Sequence, residues 1–272
     1  MHRAGLFLRL PALAGSGLIL LSLSRGNAST NQFSFDDYLL VPVRVHLLMA
    51  RNSPAIQTTL TDADISRILG KMNGVWAQAG LHLYLESLVR EEADIPDASA
   101  EPLTPADHRA LLALRPSQSK VTNAFNIYYL KRMSVNGFFA GAIFVKDTAS
   151  LRKVEGGIDE PIPRVSSHEL GHALGLPHRQ ATTNLMASGT TGTWLNDEEI
   201  SRARNTARKL VWIEPASGLM KEADALFSAN KMKEAAVMYS RLATIPLKVD
   251  QVELARKRMA ARHDANSHSP SR

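Results

Sequence analysis

Residues 168–178 read His-Glu-Leu-Gly-His-Ala-Leu-Gly-Leu-Pro-His, the form H-E-x-x-H-x-x-G-x-x-H. On a helix, His168 and His172 stand one turn apart, so both imidazoles leave the same face and can meet one metal ion. Glu169 adjoins the first histidine, close enough to activate a metal-bound water without ligating the metal. Gly175 lets the chain turn sharply out of the helix through a left-handed conformation. That turn brings His178 back as a third ligand. Three protein nitrogens with a fourth position open describe a catalytic zinc site, whereas a structural site is closed by four protein ligands.

A bare H-E-x-x-H also arises on ordinary polar helices whose histidines are simply satisfied. The added glycine and third histidine at fixed spacing do not fit that blander reading. Asn184-Leu185-Met186-Ala187-Ser188 follows closely. Met186 taken alone would be plain core packing; its position after the motif makes it a candidate to pack beneath the metal.

These residues resemble the metzincin clan of zinc endopeptidases, whose pattern is H-E-x-x-H-x-x-G-x-x-H followed by a methionine-containing turn. The match is tight over Val165 to Met186 and looser from about Val41 to Lys209. The resemblance implies one catalytic Zn2+ held by His168, His172 and His178, with Glu169 as general base and Met186 as the turn methionine. It implies that Ala187 to Trp194 walls the pocket for the residue after the scissile bond, Trp194 either lining it or packing in the core. It also implies that the strand from Gly137 to Val145 lies at the sheet edge above the active helix. An extended peptide would then pair with about Phe139 to Lys146, through Phe139, Ala140, Gly141 and Ala142. Leu195 to Arg204 looks like the C-terminal helix start of matrixin-like members. Two residues depart from the family. Arg179 follows the third histidine, where matrixins carry serine and astacins glutamate. Ser188 stands where astacins and serralysins have a tyrosine two residues after the methionine, which leaves the subfamily open.

The implied activity is a hydrolase, a secreted zinc metalloendopeptidase acting on protein or peptide substrates. The alternative is a non-catalytic zinc-bound adhesin or partner-binding module that uses the C-terminal helices as its contact surface. The intact Glu169 argues against it, since a scaffold has no need of that base.

With 272 residues and 44% apolar content, one catalytic domain plus an accessory segment can bury a core. The N-terminus reads as a signal peptide over residues 1–28. His2, Arg3 and Arg9 form a basic start, Ala12 to Leu23 is apolar, and Gly26-Asn27-Ala28 offers small residues for cleavage. The apolar run is short for a membrane span, so the mature chain is expected to have no stable span and to be secreted or periplasmic; retention as an anchor is the alternative. There is no cysteine. The fold must therefore rest on its core and metal, without disulfides, a lipoprotein anchor or a cysteine to cap the zinc in a latent form.

The expected fold class is α/β, of the α+β zincin type: a twisted mixed sheet, an active-site helix and a C-terminal helical subdomain. Residues 38–212 are expected to form the catalytic domain. Tyr38 to Ala50 reads as the first strand, with Val43, Val45 and Leu47 on one face and His46 on the other, solvated or packed. Thr61 caps a helix in which Ile65, Ile68, Leu69, Met72, Val75 and Trp76 recur at helical spacing up to about Gly80. Leu81 to Val89 is a second strand with His82, Tyr84 and Glu86 on one face. Glu91 to Glu101 reads as a surface loop, Thr104-Pro105 opens a short helix, and Asn126 to Leu130 is a buried strand. Glu155 to Pro163 reads as a Gly/Pro loop, with the active helix starting near Pro163.

Asn196 and Glu199 form a capping box for a helix reaching about Leu210, and Pro215 to Gly218 break the chain. Residues 216–262 are expected to be helical: Leu219 to Ala229, Lys233 to Ala243 and Val249 to Ala261. The first two resemble a tetratricopeptide-like hairpin; a generic helical extension packed on the catalytic domain is the favoured alternative. One such hairpin cannot bury its own core and needs a neighbour. Residues 201–272 carry a net charge of +7 against +6 for the whole chain. That charge could favour anionic surfaces, but a solvated helical face is the simpler reading, and no nucleic-acid motif accompanies it. Residues 263–272, with His263 and His268 among serines, read as a disordered tail.

Overall fold

Parallel strands joined by helical crossovers make up most of the architecture in a computed structural model of the chain. The structure describes residues 33–51, 53–94, 108–116, 120–149, 152–154 and 157–267. A short turn, Phe35–Asp37, leads into β1 (Leu39–Met49), α1 (Asp62–Trp76) and β2 (Leu81–Glu92). Next come α2 (His108–Ala113), β3 (Phe125–Leu130), β4 (Gly137–Phe139), β5 (Ile143–Lys146), β6 (Arg152–Val154) and β7 (Gly157–Asp159). The histidine pair sits on α3 (Pro161–Ala173). A long loop then reaches α4 (Asp197–Lys209), β8 (Glu214–Pro215), α5 (Ala216–Ser228), α6 (Met232–Ala243) and α7 (Asp250–Ser267).

The main sheet has the order β2-β1-β3-β5-β4, with β8 against the start of β1. β2, β1, β3 and β5 run parallel, while β4 and β8 are antiparallel to their neighbours. This is the expected mixed α/β class with a twisted mixed sheet. Both faces are covered, as a largely parallel sheet requires. Val43, Val45 and Leu47 face one side as expected and join Ile127, Tyr129 and Val145 against α1 and α3. Tyr38 and Leu40 face the other side and pack with α5, α6 and α7. Farther along the same back face, Leu48, Tyr128, Leu130 and Phe144 pack with Leu111 and Leu114.

Local chemistry sets the element ends. The Thr61 hydroxyl accepts the Asp64 N–H and the Asp64 carboxylate accepts the Thr61 N–H, closing a capping box on α1. Met72 and Trp76 are fully buried, as their spacing implies. A β-bulge lies in β2, where Leu85 and Ser87 face Val43 and Arg44 and leave Glu86 over. His82 and Tyr84, before the bulge, face the C-terminal helices, and exposed Glu86 does not continue their row. His46 is packed: its Nδ1 lies 2.6 Å from Glu91 Oε1, its Nε2 lies 3.0 Å from Asn126 Oδ1, and its ring stacks on Tyr128.

Several expected boundaries move. Glu91 and Glu92 belong to β2 instead of a loop, because Glu91 is the partner of buried His46. The single strand expected over Gly137 to Val145 is a hairpin, since Gly141 adopts φ +70° and reverses the chain between β4 and β5. β7 occupies part of the expected Gly/Pro loop, and α3 starts at Pro161, a residue suited to the first helical position. α5 begins at Ala216, inside the expected chain break. α7 continues through Ser267, into the stretch read as a disordered tail. The signal segment 1–28, the acidic residues 95–101, Thr104-Pro105 and residues 268–272 lie outside the described residues. Among the described residues, no helix is long and apolar enough to cross a membrane.

The neighbour that the C-terminal hairpin needs is the back of the sheet together with α7. Leu219 and Ala223 of α5, Tyr239 and Leu242 of α6, and Val252 and Ala255 of α7 share one apolar cluster with Phe35, Tyr38 and Leu40. α4 adds a polar clamp. Arg204 is 5% exposed and donates to the carbonyls of Ala79 at 2.7 Å and Asp37 at 2.9 Å, with its guanidinium over the Phe33 ring. Arg204→Leu would strand these carbonyls, so it is expected to lower stability by about 2–3 kcal/mol. Urea unfolding measures this; an unchanged midpoint would remove the clamp from the list of stabilising contacts.

Candidate metal centre

From Pro161 to Gly171 every residue of α3 is buried, held between the sheet face and α1. A buried helix holds its side chains to a narrow set of positions. His168 and Glu169 are 7% and 6% exposed and line a cleft of about 790 Å³. Arg164, Val165, His172 and His178 line it with them, as do Ser134 to Phe139 and Ser188-Gly189.

The exit from α3 follows from Gly175, whose φ is +82°. Its N–H donates to the His172 carbonyl, and the Leu176 N–H reaches the Gly171 carbonyl, both at 2.9 Å. This Schellman arrangement ends the helix and turns the chain back. It delivers His178 to the other two histidines: Nε2 of His172 lies 3.1 Å from Nε2 of His168 and 3.1 Å from Nε2 of His178. The three candidate ligand atoms all fall within 4.8 Å of one another. Nitrogens at about 2.0–2.1 Å from a tetrahedral zinc would stand roughly 3.3 Å apart.

The outward nitrogens fix the tautomers. Nδ1 of His168 donates to the Leu185 carbonyl and Nδ1 of His172 to the Leu176 carbonyl, each at 2.8 Å. Nε2 of each ring then carries the lone pair, the form that ligates a metal. Burial pushes the His168 imidazole down to about 4 and lowers His172, so both stay neutral near pH 7. Burial also pushes the Glu169 carboxyl up to about 8; a cation among the imidazoles would act in the opposite direction. Lone pairs facing one another at this spacing repel unless a cation lies between them. The donor set thus fits a borderline divalent ion such as zinc.

Two glycines let neighbouring chain approach α3. A Cβ on Gly171 would stand 2.5 Å from Met186 Sδ. Met186 is fully buried and fills that place beneath the helix turn bearing His172. A Cβ on Gly137 would meet Val165 at 2.5 Å and Glu169 Oε1 at 2.7 Å, so β4 rests directly on the glutamate. Gly137 was absent from the sequence-based site, although a glycine opening an aromatic strand is the kind of signal that marks close approach.

Of the expected substrate residues, Phe139 lines the cleft. Ala140, Gly141 and Ala142 form the β4–β5 turn and are not among its lining residues; Ala142 is buried in the back-face cluster. The edge strand beside the cleft is β4, with β5 inside the sheet. Trp194 is neither in the core nor in the cleft lining: it is 54% exposed and borders a separate hollow with Thr182, Thr183 and Thr190 to Thr193.

Mid-helix glycine costs about 1 kcal/mol relative to alanine, so Gly171 needs a reason, and Met186 supplies it. Gly171→Ala is expected to destabilise by about 1–3 kcal/mol. In a Met186→Ala background the same change should cost much less. Equal losses in the two backgrounds, measured by denaturant unfolding, would show that the sulfur contact does not set the glycine.

No family model matches the chain, and no curated protein does. Among solved structures, the crystal structure of archaemetzincin from Methanopyrus kandleri is similar at 12% identity and a TM-score of 0.39, over 62% of this chain and 96% of that one.

Proposed function

We propose that this chain is a zinc-dependent endopeptidase of the metzincin type, with residues 38–212 as its catalytic part. One observation carries the reading: three imidazole Nε2 atoms from a helix and a left-handed turn converge in an open cleft that Glu169 also lines. His168, His172 and His178 would hold the ion, leaving the cleft side for substrate. Zinc bound there supplies Lewis acidity, polarising a carbonyl and lowering the pKa of water. Glu169 takes a proton from the attacking water and passes it to the leaving amine. Its buried setting suits a group that must carry a proton and release it again.

β4 is an edge strand and its residues line the cleft, which supports an extended peptide adding there as a further strand by main-chain hydrogen bonds. Gly137 keeps that strand close to Glu169, which would place a bound peptide's backbone near the general base. Export is part of the proposal and rests on the basic and apolar pattern of residues 1–28.

A peptide library incubated with zinc-replete protein, with and without chelator, tests the activity. Cleavage should occur and be abolished by the chelator. Glu169→Ala should keep its zinc and lose about 10²–10⁴-fold in kcat/KM. A variant that cleaves at the wild-type rate would overturn the role of Glu169. Absence of chelator-sensitive cleavage by zinc-replete wild-type protein would favour a non-catalytic module working through α5 to α7.

A further inference from the structure

Glu199 has two uses at the start of α4. It completes the capping box: its Oε2 accepts the Asn196 N–H, and Asn196 Oδ1 accepts the Glu199 N–H, both at 2.9 Å. A capping glutamate can do this from the surface, yet Glu199 is 1% exposed. Its remaining contacts explain the burial. Oε2 also accepts from Nδ2 of Asn184 at 2.7 Å, and Oε1 accepts from Nε of Arg179 at 2.9 Å.

Both donors sit next to parts of the metal centre. Arg179 directly follows His178. Asn184 directly precedes Leu185, whose carbonyl accepts from Nδ1 of His168 at 2.8 Å. The loop between them is closed by two more bonds: the Arg179 N–H donates to the Met186 carbonyl at 3.0 Å, and the Met186 N–H to Asn184 Oδ1 at 2.7 Å. His178 itself is exposed, so no packed core holds its ring in place. Whatever fixes it must act through adjacent chain.

We propose that Glu199 is a positioning residue for the metal centre: through Arg179 and Asn184 it fixes His178 and the Leu185 carbonyl, and so sets zinc affinity without touching a ligand atom. The chemistry requires the whole set. A buried carboxylate is tolerated only when charged and neutral donors satisfy it, and here a guanidinium, a side-chain amide and a main-chain N–H do so. Arginine suits the place better than lysine because its rigid fork spans two carboxylates, with Nη2 donating to Glu198 Oε2 at 3.0 Å. Outer contacts of this kind, removed singly, weaken metal binding by about 10–100-fold. The inference rests on the zinc-site part of the reading above and is independent of catalysis.

The test compares the full chain with Glu199→Gln, Arg179→Ala, Arg179→Lys and the control Arg204→Leu. Three measurements are made on each: zinc Kd by competition with a chromophoric chelator, the absorption spectrum of the cobalt-loaded chain, and urea unfolding of the zinc-free chain. Glu199→Gln and Arg179→Ala should raise zinc Kd by about 10–100-fold and shift the cobalt bands, with Arg179→Lys recovering part of the loss. Arg204→Leu, on the same helix but away from this network, should lose stability while its zinc Kd stays within roughly threefold. Wild-type Kd and cobalt spectrum in Arg179→Ala overturn the inference, even where stability falls. If Glu199→Gln does not fold, Arg179→Ala decides, because it leaves the capping box intact. A wild-type chain that takes up no zinc overturns both this inference and the zinc site. Zinc binding without peptidase activity overturns only the catalytic reading, and the affinities still decide this one.

Discussion

Imidazole nitrogens stand 3.1 Å apart only because each ring is aimed from outside the cluster. In this chain that work falls to main-chain carbonyls. The Leu185 and Leu176 carbonyls take the outward N–H groups of His168 and His172, which fixes both tautomer and ring direction. Each carbonyl is placed in turn by other bonds. Leu176 belongs to the helix-ending turn at Gly175, and the Leu185 N–H donates to the Trp194 carbonyl at 2.8 Å. Much of the loop from Leu174 to Asn196 therefore serves the direction of a few nitrogen lone pairs.

The helix beneath is constrained from two directions by side chains that are missing. Gly137 brings β4 onto α3 at Glu169, and Gly171 admits the sulfur of Met186 at the turn that carries His172. Contacts this close leave little slack, because packed interiors do not deform continuously. The separation of the sheet edge from Glu169 is thus set by the absence of one Cβ, and the seat of the turn bearing His172 by the absence of another. Along the remaining length, Val165, Leu170 and Leu174 hold α3 to the apolar face made by Val43, Val45 and Leu47.

Short-range patterns in this chain could be read directly. The N-cap at Thr61, the capping box at Asn196, the left-handed exit at Gly175 and the inward row of β1 each depend on residues a few positions apart. Interactions across longer separations could not. Nothing near Glu199 in the sequence says that Arg179 and Asn184 share its carboxylate, and nothing near His46 says that Glu91 will extend β2 to reach it. The β4–β5 hairpin was hidden for a different reason: apolar residues flank Gly141 on both sides, so the turn glycine looked like part of one strand. Arg179, conspicuous as a departure from the metzincin pattern, becomes intelligible once α4 is seen behind it.

The two faces of β1 are completed at different times in synthesis. Its inner row meets α1 and α3, both encoded before Leu174, and Leu48 on the back face meets Leu111 and Leu114, whereas Tyr38 and Leu40 pack with helices that start at Ala216. Contacts spanning nearly the full chain close slowly and late. The histidine motif is therefore made while the start of β1 still shows an apolar back. A growing chain at that stage holds all three histidines while the start of its first strand is still uncovered on that side.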